Sequence, residues 1–535
     1  MAFDLVISGG TVLDGSGGPG YRADVAVAGG IIAAVGDLAG VSGSETARRL
    51  DAAGLVVAPG FIDIHTHSDV TLTQPGAGIN TICQGVTTEI TGNCGFSAFP
   101  VAPARRAEHA EHLAYLGPDR ADLRWRDFDG YAEAVRAAGP IGNVGCLAGH
   151  GTLRIAAGVP PAAEYPGEYR DALGRLLEEC LEQGALGFST GLTYVPSMFG
   201  TTDEIATLGE IAARHDALYA THARGVAGQE RAAVAEAIEV GRRSGVRVEF
   251  SHLAINDPRF WGRAGTMLAL FDEAVAAGLD IGFDVYPYDA SASSVTQYLP
   301  AWLHGAGWDE ARRMLSSPAT RARALRDLAA GWYGGIGWMW DRVLVTHSAA
   351  DDTESPGHTI EELAASSGRE PAEMLLDLYE RHGNAVQVAM FYRTEQDMRE
   401  FLRHPSSVVG SDGVAMARDA LSQRPHPRFY GTFPRVLGRY VRDTGLITLA
   451  SAVRKMTGEP ADRCRLAGRG YIRPGFSADL VTFTAAAVRD TATFAASNQL
   501  PEGIGSVLVN GVQVVTDGRW NGQAAGQVLR RGAQG

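Results

Sequence analysis

Lysine is almost missing from this 535-residue sequence: Lys455 stands alone against 46 arginines. Whatever chemistry the chain performs, a lysine side chain can serve it only from position 455. Basic residues as a class are outnumbered, 47 Lys and Arg against 61 Asp and Glu, for a formal charge of −14. That balance repels phosphate backbones and leaves no basic stripe for nucleic acid, so a small-molecule partner is expected. No run of 18 apolar residues occurs, which excludes an ordinary membrane-spanning helix. Met1 to Gly10 has no basic stretch of the kind that opens a secretion signal, and the expected location is the cytoplasm. Cysteine is scarce and odd in number: Cys83, Cys94, Cys146, Cys180 and Cys464 are widely scattered. A disulfide framework is therefore not expected, and each thiol needs its own explanation.

What is present is a globular composition, 45% hydrophobic and 20% charged, in a chain long enough for a large core and a second, smaller domain. Both ends read as β-structure. Near the start, β-branched runs such as "DLVISGGTVLDG" are separated by glycine pairs; near the end, "SVLVNGVQVV" sets Asn-Gly between two alternating runs, the signature of a two-residue hairpin. The middle alternates strand-like runs with helical stretches. "FIDIHTH", "TTEITGN", "NVGCLAGH", "LGFSTG", "LYATHAR", "VRVEFSHL", "DIGFDVYPY", "VLVTHS" and "SVVGSDG" are the strand candidates, with helices expected over Tyr169 to Gln183 and Glu230 to Ser244. This pattern predicts a (β/α)₈ TIM-like barrel over residues 59–465 and a small β-sandwich domain assembled from residues 1–58 and 466–535. A stretch at about 290–340, rich in Trp, Gly and Arg, reads as a lid-like insertion.

Polar residues gather where these strands end. "DIHTH" carries His65 and His67 two residues apart, on one face of a strand and roughly 6.5 Å from each other at a rise of about 3.3 Å per residue. "GNCGFS" carries Cys94, "ATHARG" His222, "EFSHL" His252 and "GSDG" Asp412. Taken singly, each has a plain structural role: a strand-end histidine is usually a hydrogen-bonding residue, an Asp in Ser-Asp-Gly a turn residue, and a lone Cys buried packing. In a parallel barrel the C-terminal strand ends meet over one opening, and such residues at five strand ends form a pattern. Imidazole and thiolate together suit zinc rather than calcium or magnesium. Cys94, His222 and His252 make a three-ligand set that leaves a coordination position open.

These segments, with "PGFIDIHTHSD", "GFSTGLTYVP", "FDVYPYDA", "HPRFYGTFPRVLGRYVR" and "RGYIRPGFSADLV", resemble the amidohydrolase superfamily and, within it, the N-acyl-D-amino-acid deacylase (D-aminoacylase) family, over nearly the whole chain. The resemblance implies a zinc-dependent hydrolase of the amide bond of N-acyl-D-amino acids. It implies that Cys94, His222 and His252 hold a tight zinc ion, and that His65 and His67 with Cys94 and Asp412 form a second, weaker site. Asp412 would be the general base and acid, Arg428 the clamp for the substrate carboxylate, and Tyr286 a hydrogen-bonding group near the scissile carbonyl. Many superfamily relatives bridge two metals with a carboxylated lysine in mid-barrel. Lys455 lies beyond the last barrel strand and cannot easily reach that position; the resemblance implies that the thiolate of Cys94 would bridge instead.

For His150 in "AGHGTLR" and Tyr194 in "GLTYVP", also at strand ends, pocket-lining and structural roles are both open. The sequence departs from its relatives at "SHLAIN", where Leu253 and Ala254 replace a His-Lys pair, and this bears on the substrate range. Two other readings follow: a cyclic-amide or ester hydrolase on the same scaffold, or a non-catalytic scaffold protein. The retained ligand residues argue against the second. The sequence carries no signal for oligomeric state.

Overall fold

Eight short strands pair side by side in parallel in the computed structural model: Phe61–Asp63, Val86–Thr91, Asn143–Gly149, Gly187–Gly191, Leu218–His222, Arg247–Phe250, Ile281–Val285 and Ser407–Val409. The structure describes all residues except 1, 42–45, 117–121, 161–166, 226, 417–423 and 533–535. The first and eighth strands meet just beyond their C-terminal ends, through a parallel bridge between Thr66 and Gly413. His67 N–H donates to the Gly413 carbonyl and Asp412 N–H to the His65 carbonyl, each at 2.8 Å. This closure completes a (β/α)₈ barrel and ties His65, His67 and Asp412 to one rim.

Alternation along the strands decides what fills the barrel. Ile62, Ile64, Ile90, Leu147, Leu186, Leu218 and Val408 cluster in its interior, while Phe61, Phe188, Tyr219 and Phe283 from the same strands join the larger core under the helices. The helices are built from local signals. In Thr202–Arg214, the Thr201 side chain accepts the Glu204 N–H, acids occupy the first turn and Arg214 the last, and Ile205, Leu208 and Ile211 line the buried face. The floor of the barrel holds the sole lysine. Lys455 is 5% exposed, and its ammonium donates to the His404 and Ser407 carbonyls and the Ser407 hydroxyl. Ser407 opens the eighth strand, so Lys455 lies at the end opposite His65 and Asp412.

Strands from both termini form one nine-stranded sheet. The two ends of the chain join where Val56–Pro59 pairs antiparallel with Leu480–Phe483. The expected Asn-Gly hairpin connects Ile504–Val509 to Val512–Thr516, with Asn510 and Gly511 both at positive φ (48° and 81°), as a type I′ turn requires.

The lid-like segment is longer than its sequence suggested. "VLVTHS" is not a barrel strand: Val343–His347 pairs antiparallel with Gln387–Met390, which also pairs with Ser291–Ser294, in a separate three-stranded sheet. The unit leaves the barrel after Ile281–Val285, runs past Trp340 to about residue 392, and packs its own core around Leu303, Trp332, Val345, Leu376 and Tyr392. Among the described residues no helix is long and apolar enough to cross a membrane.

Candidate metal centre

The loop that carries Cys94 is shaped by the glycines around it. Val86–Thr91 ends at Gly92, and Gly92 (φ 85°) and Gly95 (φ 79°) bracket Cys94. A Cβ at Gly92 would strike the Leu147 carbonyl, and one at Gly95 would lie 2.7 Å from the Gly191 amide nitrogen. The backbone therefore threads between neighbouring strands and turns the thiol over the barrel axis. Cys94 itself has φ 53°, His252 φ 38° and Asp412 φ 51°. Each non-glycine residue in that region costs on the order of 1–3 kcal/mol, strain that concentrates at functional sites.

Six residues from five strand ends converge. Cys94 Sγ lies 3.3 Å from His65 Nε2 and 3.5 Å from His252 Nε2. One ligand atom each from Cys94, His222 and His252 falls within 4.8 Å of the others, and the same holds for His65, His67 and Cys94. Cys94 thus belongs to both groups. Asp412 Oδ1 is 3.0 Å from His67 Nε2 and 3.6 Å from His65 Nε2, and its Oδ2 is 3.1 Å from Arg428 Nη2.

Electrostatics call for a cation here. Burial works against a thiolate at Cys94, yet the imidazoles of His65 and His252 outweigh it and hold the thiol well below its ordinary range. Burial likewise opposes charge on Asp412, and Arg428 with His67 overrides it, keeping the carboxyl well below the usual carboxylate range. His67, despite burial, is raised to about 9 by its hydrogen bond to Asp412. His222 is lowered by burial and by the facing His252. Two buried anionic groups ringed by imidazoles are satisfied by protons or by a metal ion. His67 Nδ1 and His222 Nδ1 are buried without a hydrogen-bond partner, while their Nε2 atoms meet Asp412 Oδ1 at 3.0 Å and Thr193 Oγ1 at 2.8 Å.

Asp284, inside Ile281–Val285, was not singled out in the sequence. Its Oδ2 accepts from His65 Nδ1 at 3.0 Å and its Oδ1 from the His252 backbone N–H at 2.9 Å. It therefore orients one member of each group, the outer support that metal-binding histidines usually have. A lone acid in an apolar strand, "IGFDV", is the signal that could have found it, because a buried carboxylate needs partners.

An open cavity of about 170 Å³ lies above these residues. Tyr194 lines it, edge-on to Phe96 and His222. Tyr286 lines it with its hydroxyl unpartnered, and Arg428 lines it with Nε and Nη1 unpartnered. His150 does not reach the cavity. It is fully buried between Ser197 Oγ (2.7 Å) and Glu204 Oε1 (2.8 Å), and Glu204 also takes both bonds from Arg154 Nη1. Its strand-end position points it sideways into this polar cluster, so the pocket-lining option is corrected to a structural one.

The model of the amidohydrolase family matches residues 48–515. The chain belongs to the amidohydrolase family. Within it, the chain is 37% identical to D-aminoacylase and 38% identical to N-acyl-D-glutamate deacylase, both of Alcaligenes xylosoxydans xylosoxydans. Each alignment covers 99% of this chain, with 98% and 97% of the respective relative. Among solved structures of the family, a D-aminoacylase with a binuclear metal centre superposes with a TM-score of 0.83 at 37% identity. N-acyl-D-glutamate deacylase from Bordetella bronchiseptica, complexed with zinc and a phosphonate inhibitor, superposes at 0.82 and 34%. Both comparisons cover 99% of this chain and 100% of the other.

Proposed function

We propose that this amidohydrolase hydrolyses the amide bond of N-acyl-D-amino acids, releasing a carboxylate and a free D-amino acid, with zinc as its metal. The observation that carries the reading is the convergence of Cys94, His222 and His252 within 4.8 Å, beside Asp412 and Arg428 in one cavity. The thiolate-imidazole donor set suits zinc. Cys94, His222 and His252 would hold the tight ion; His65 and His67, with Cys94 and Asp412, would form the second, weaker site. The four named relatives and structures, all acting on D-amino-acid derivatives by name, support the choice of substrate.

Amide hydrolysis needs activated water, a polarised carbonyl and a proton for the departing amine. Zinc, when bound, supplies Lewis acidity toward the carbonyl oxygen and toward water. The remaining work falls to side chains. Asp412, kept ionised by Arg428 and His67, takes a proton from water as it attacks and returns it to the amine nitrogen as the C–N bond breaks. Arg428, whose Nη2 meets Asp412 and whose Nε and Nη1 have no partner, brings a planar cation with donors to spare for a carboxylate. The Tyr286 hydroxyl, free of internal partners, donates near the scissile carbonyl, and Tyr194 walls the cavity. All five cysteines are buried and unpaired, which supports a reducing, cytoplasmic setting.

The test is a panel of N-acetyl-D-amino acids, their L-enantiomers and cyclic imides, assayed after chelation and with zinc restored. Hydrolysis of the D-series alone, abolished by chelation and recovered with zinc, is expected. Preference for cyclic imides or for L-substrates overturns the reading.

A further inference from the structure

Arg428 is not the only guanidinium in the cavity wall. Arg393 follows the insertion strand Gln387–Met390, where the chain returns to the barrel, and its side chain also lines the cavity. Its Cζ lies 4.7 Å from the centroid of the Tyr286 ring, and Arg428 Cζ lies 4.8 Å from the same centroid. The two cations are therefore at most about 10 Å apart, a separation that one or two carboxylates can bridge.

Their neutralisation differs. Arg428 is paired with Asp412, and Arg224, a third arginine at the wall, is paired with Glu236. Among the described residues Arg393 has no acidic partner; its Nε donates to the neutral Asn256 Oδ1 at 3.1 Å. Glu230, the remaining acid at the wall, has Asp257 and Arg259 as its charged neighbours. Burial raises the phenols of Tyr286, Tyr298 and Tyr333, and the charge of Arg393 offsets part of that rise in all three. A half-buried guanidinium thus stands among aromatic rings, aimed by Asn256, without a counter-charge. Stacking on Tyr286 accommodates the cation but does not satisfy its donors.

We infer that Arg393 is a second carboxylate-binding, specificity-determining residue, which holds a carboxylate of the substrate together with Arg428. The inference rests on the proposed hydrolysis of N-acyl-D-amino acids. The carboxylate is the α-carboxylate common to all such substrates or the side-chain carboxylate of an acidic one, and the two sources separate by experiment.

The zinc-replete wild type, Arg393→Met and Arg393→Lys are compared on N-acetyl-D-leucine, N-acetyl-D-glutamate and N-acetyl-D-leucinamide, which lacks a carboxylate. Arg393→Met is expected to lower kcat/KM for free-acid substrate by roughly tenfold or more, mainly through KM. Zinc content and the amide's rate should be unchanged, and Arg393→Lys should recover part of the loss. A loss on both free acids identifies the α-carboxylate; a loss on the glutamate derivative alone identifies the side chain. An equal loss on leucinamide, a loss confined to kcat, or no loss overturns the inference. Should the wild type turn over no N-acetyl-D-amino acid, the hydrolytic reading fails by itself. Calorimetric binding of N-acetyl-D-leucine and N-acetyl-D-glutamate then decides for Arg393: binding weakened in Arg393→Met supports it, and equal or undetectable binding in both proteins overturns it.

Discussion

Replacing Asp284 by asparagine keeps the shape of the side chain and reverses half of its hydrogen bonding. In the native protein two acceptor oxygens meet two buried donors, His65 Nδ1–H at 3.0 Å and the His252 N–H at 2.9 Å. Asparagine has one acceptor. If its oxygen keeps the His252 amide, which holds a backbone at φ 38°, its NH₂ group faces His65 Nδ1. His65 must then carry its proton on Nε2, the atom 3.3 Å from Cys94 Sγ, and a protonated nitrogen cannot ligate a metal. If the oxygen turns to His65 instead, the strained His252 amide is left unsatisfied. In the first case both bonds survive at the expense of the tautomer that ligation needs; in the second one buried hydrogen bond is lost, at about 1–3 kcal/mol of stability. Loss of such outer support lowers metal affinity roughly 10–100-fold, or about 1.4–2.7 kcal/mol. The assay is competition for zinc against a chromophoric chelator at neutral pH, with thermal unfolding of the metal-free protein alongside. A variant that matches the wild type in both measurements refutes the argument that Asp284 orients the two histidines.

Asp412→Asn should lose about 10²–10⁴-fold in kcat while retaining tightly bound zinc; turnover near that of the wild type removes Asp412 as the proton carrier. Glu204→Ala removes the one carboxylate that the fully buried Arg154 and His150 share. It should cost about 3–5 kcal/mol in denaturant unfolding, and a cost below about 1 kcal/mol would contradict the buried network. His109, whose Nε2 donates to the Ser97 carbonyl at 2.7 Å, is lowered by burial to about 4. Because the unfolded chain takes up this proton near pH 6.5 and the native protein only near pH 4, the stabilisation is complete above about 6.5 and is lost as pH falls toward 4. The difference is about 3 kcal/mol. Stability measured across that window should slope less steeply in His109→Gln, and an unchanged slope overturns the assignment.

The barrel and the metal-binding cluster were legible because each ligand sits at a strand end, and alternating apolar runs mark strands without any knowledge of their neighbours. Pairing is another matter. "VLVTHS" has the same local pattern as the eight barrel strands, but its hydrogen-bond partner is Gln387–Met390, and nothing within the segment records that. The insertion consequently read as ending near residue 340 when its sheet closes some fifty residues later. His150 looked like its neighbours at strand ends, and its direction depends on Glu204 and Arg154 in two other elements. Asp284 lies inside the quoted "FDVYPYDA" without standing out in it, and Arg393 carries no motif at all. The first acts through two residues far from it in sequence, and the second acquires meaning only from the unpaired charge it brings to the cavity.

Metal analysis of Cys94→Ala beside the wild type tests the central claim most directly, because Cys94 is the one residue common to both ligand groups. The wild type should carry at least one tightly held zinc per chain and Cys94→Ala essentially none, with its fold retained by circular dichroism. Stoichiometric zinc in Cys94→Ala would contradict the account.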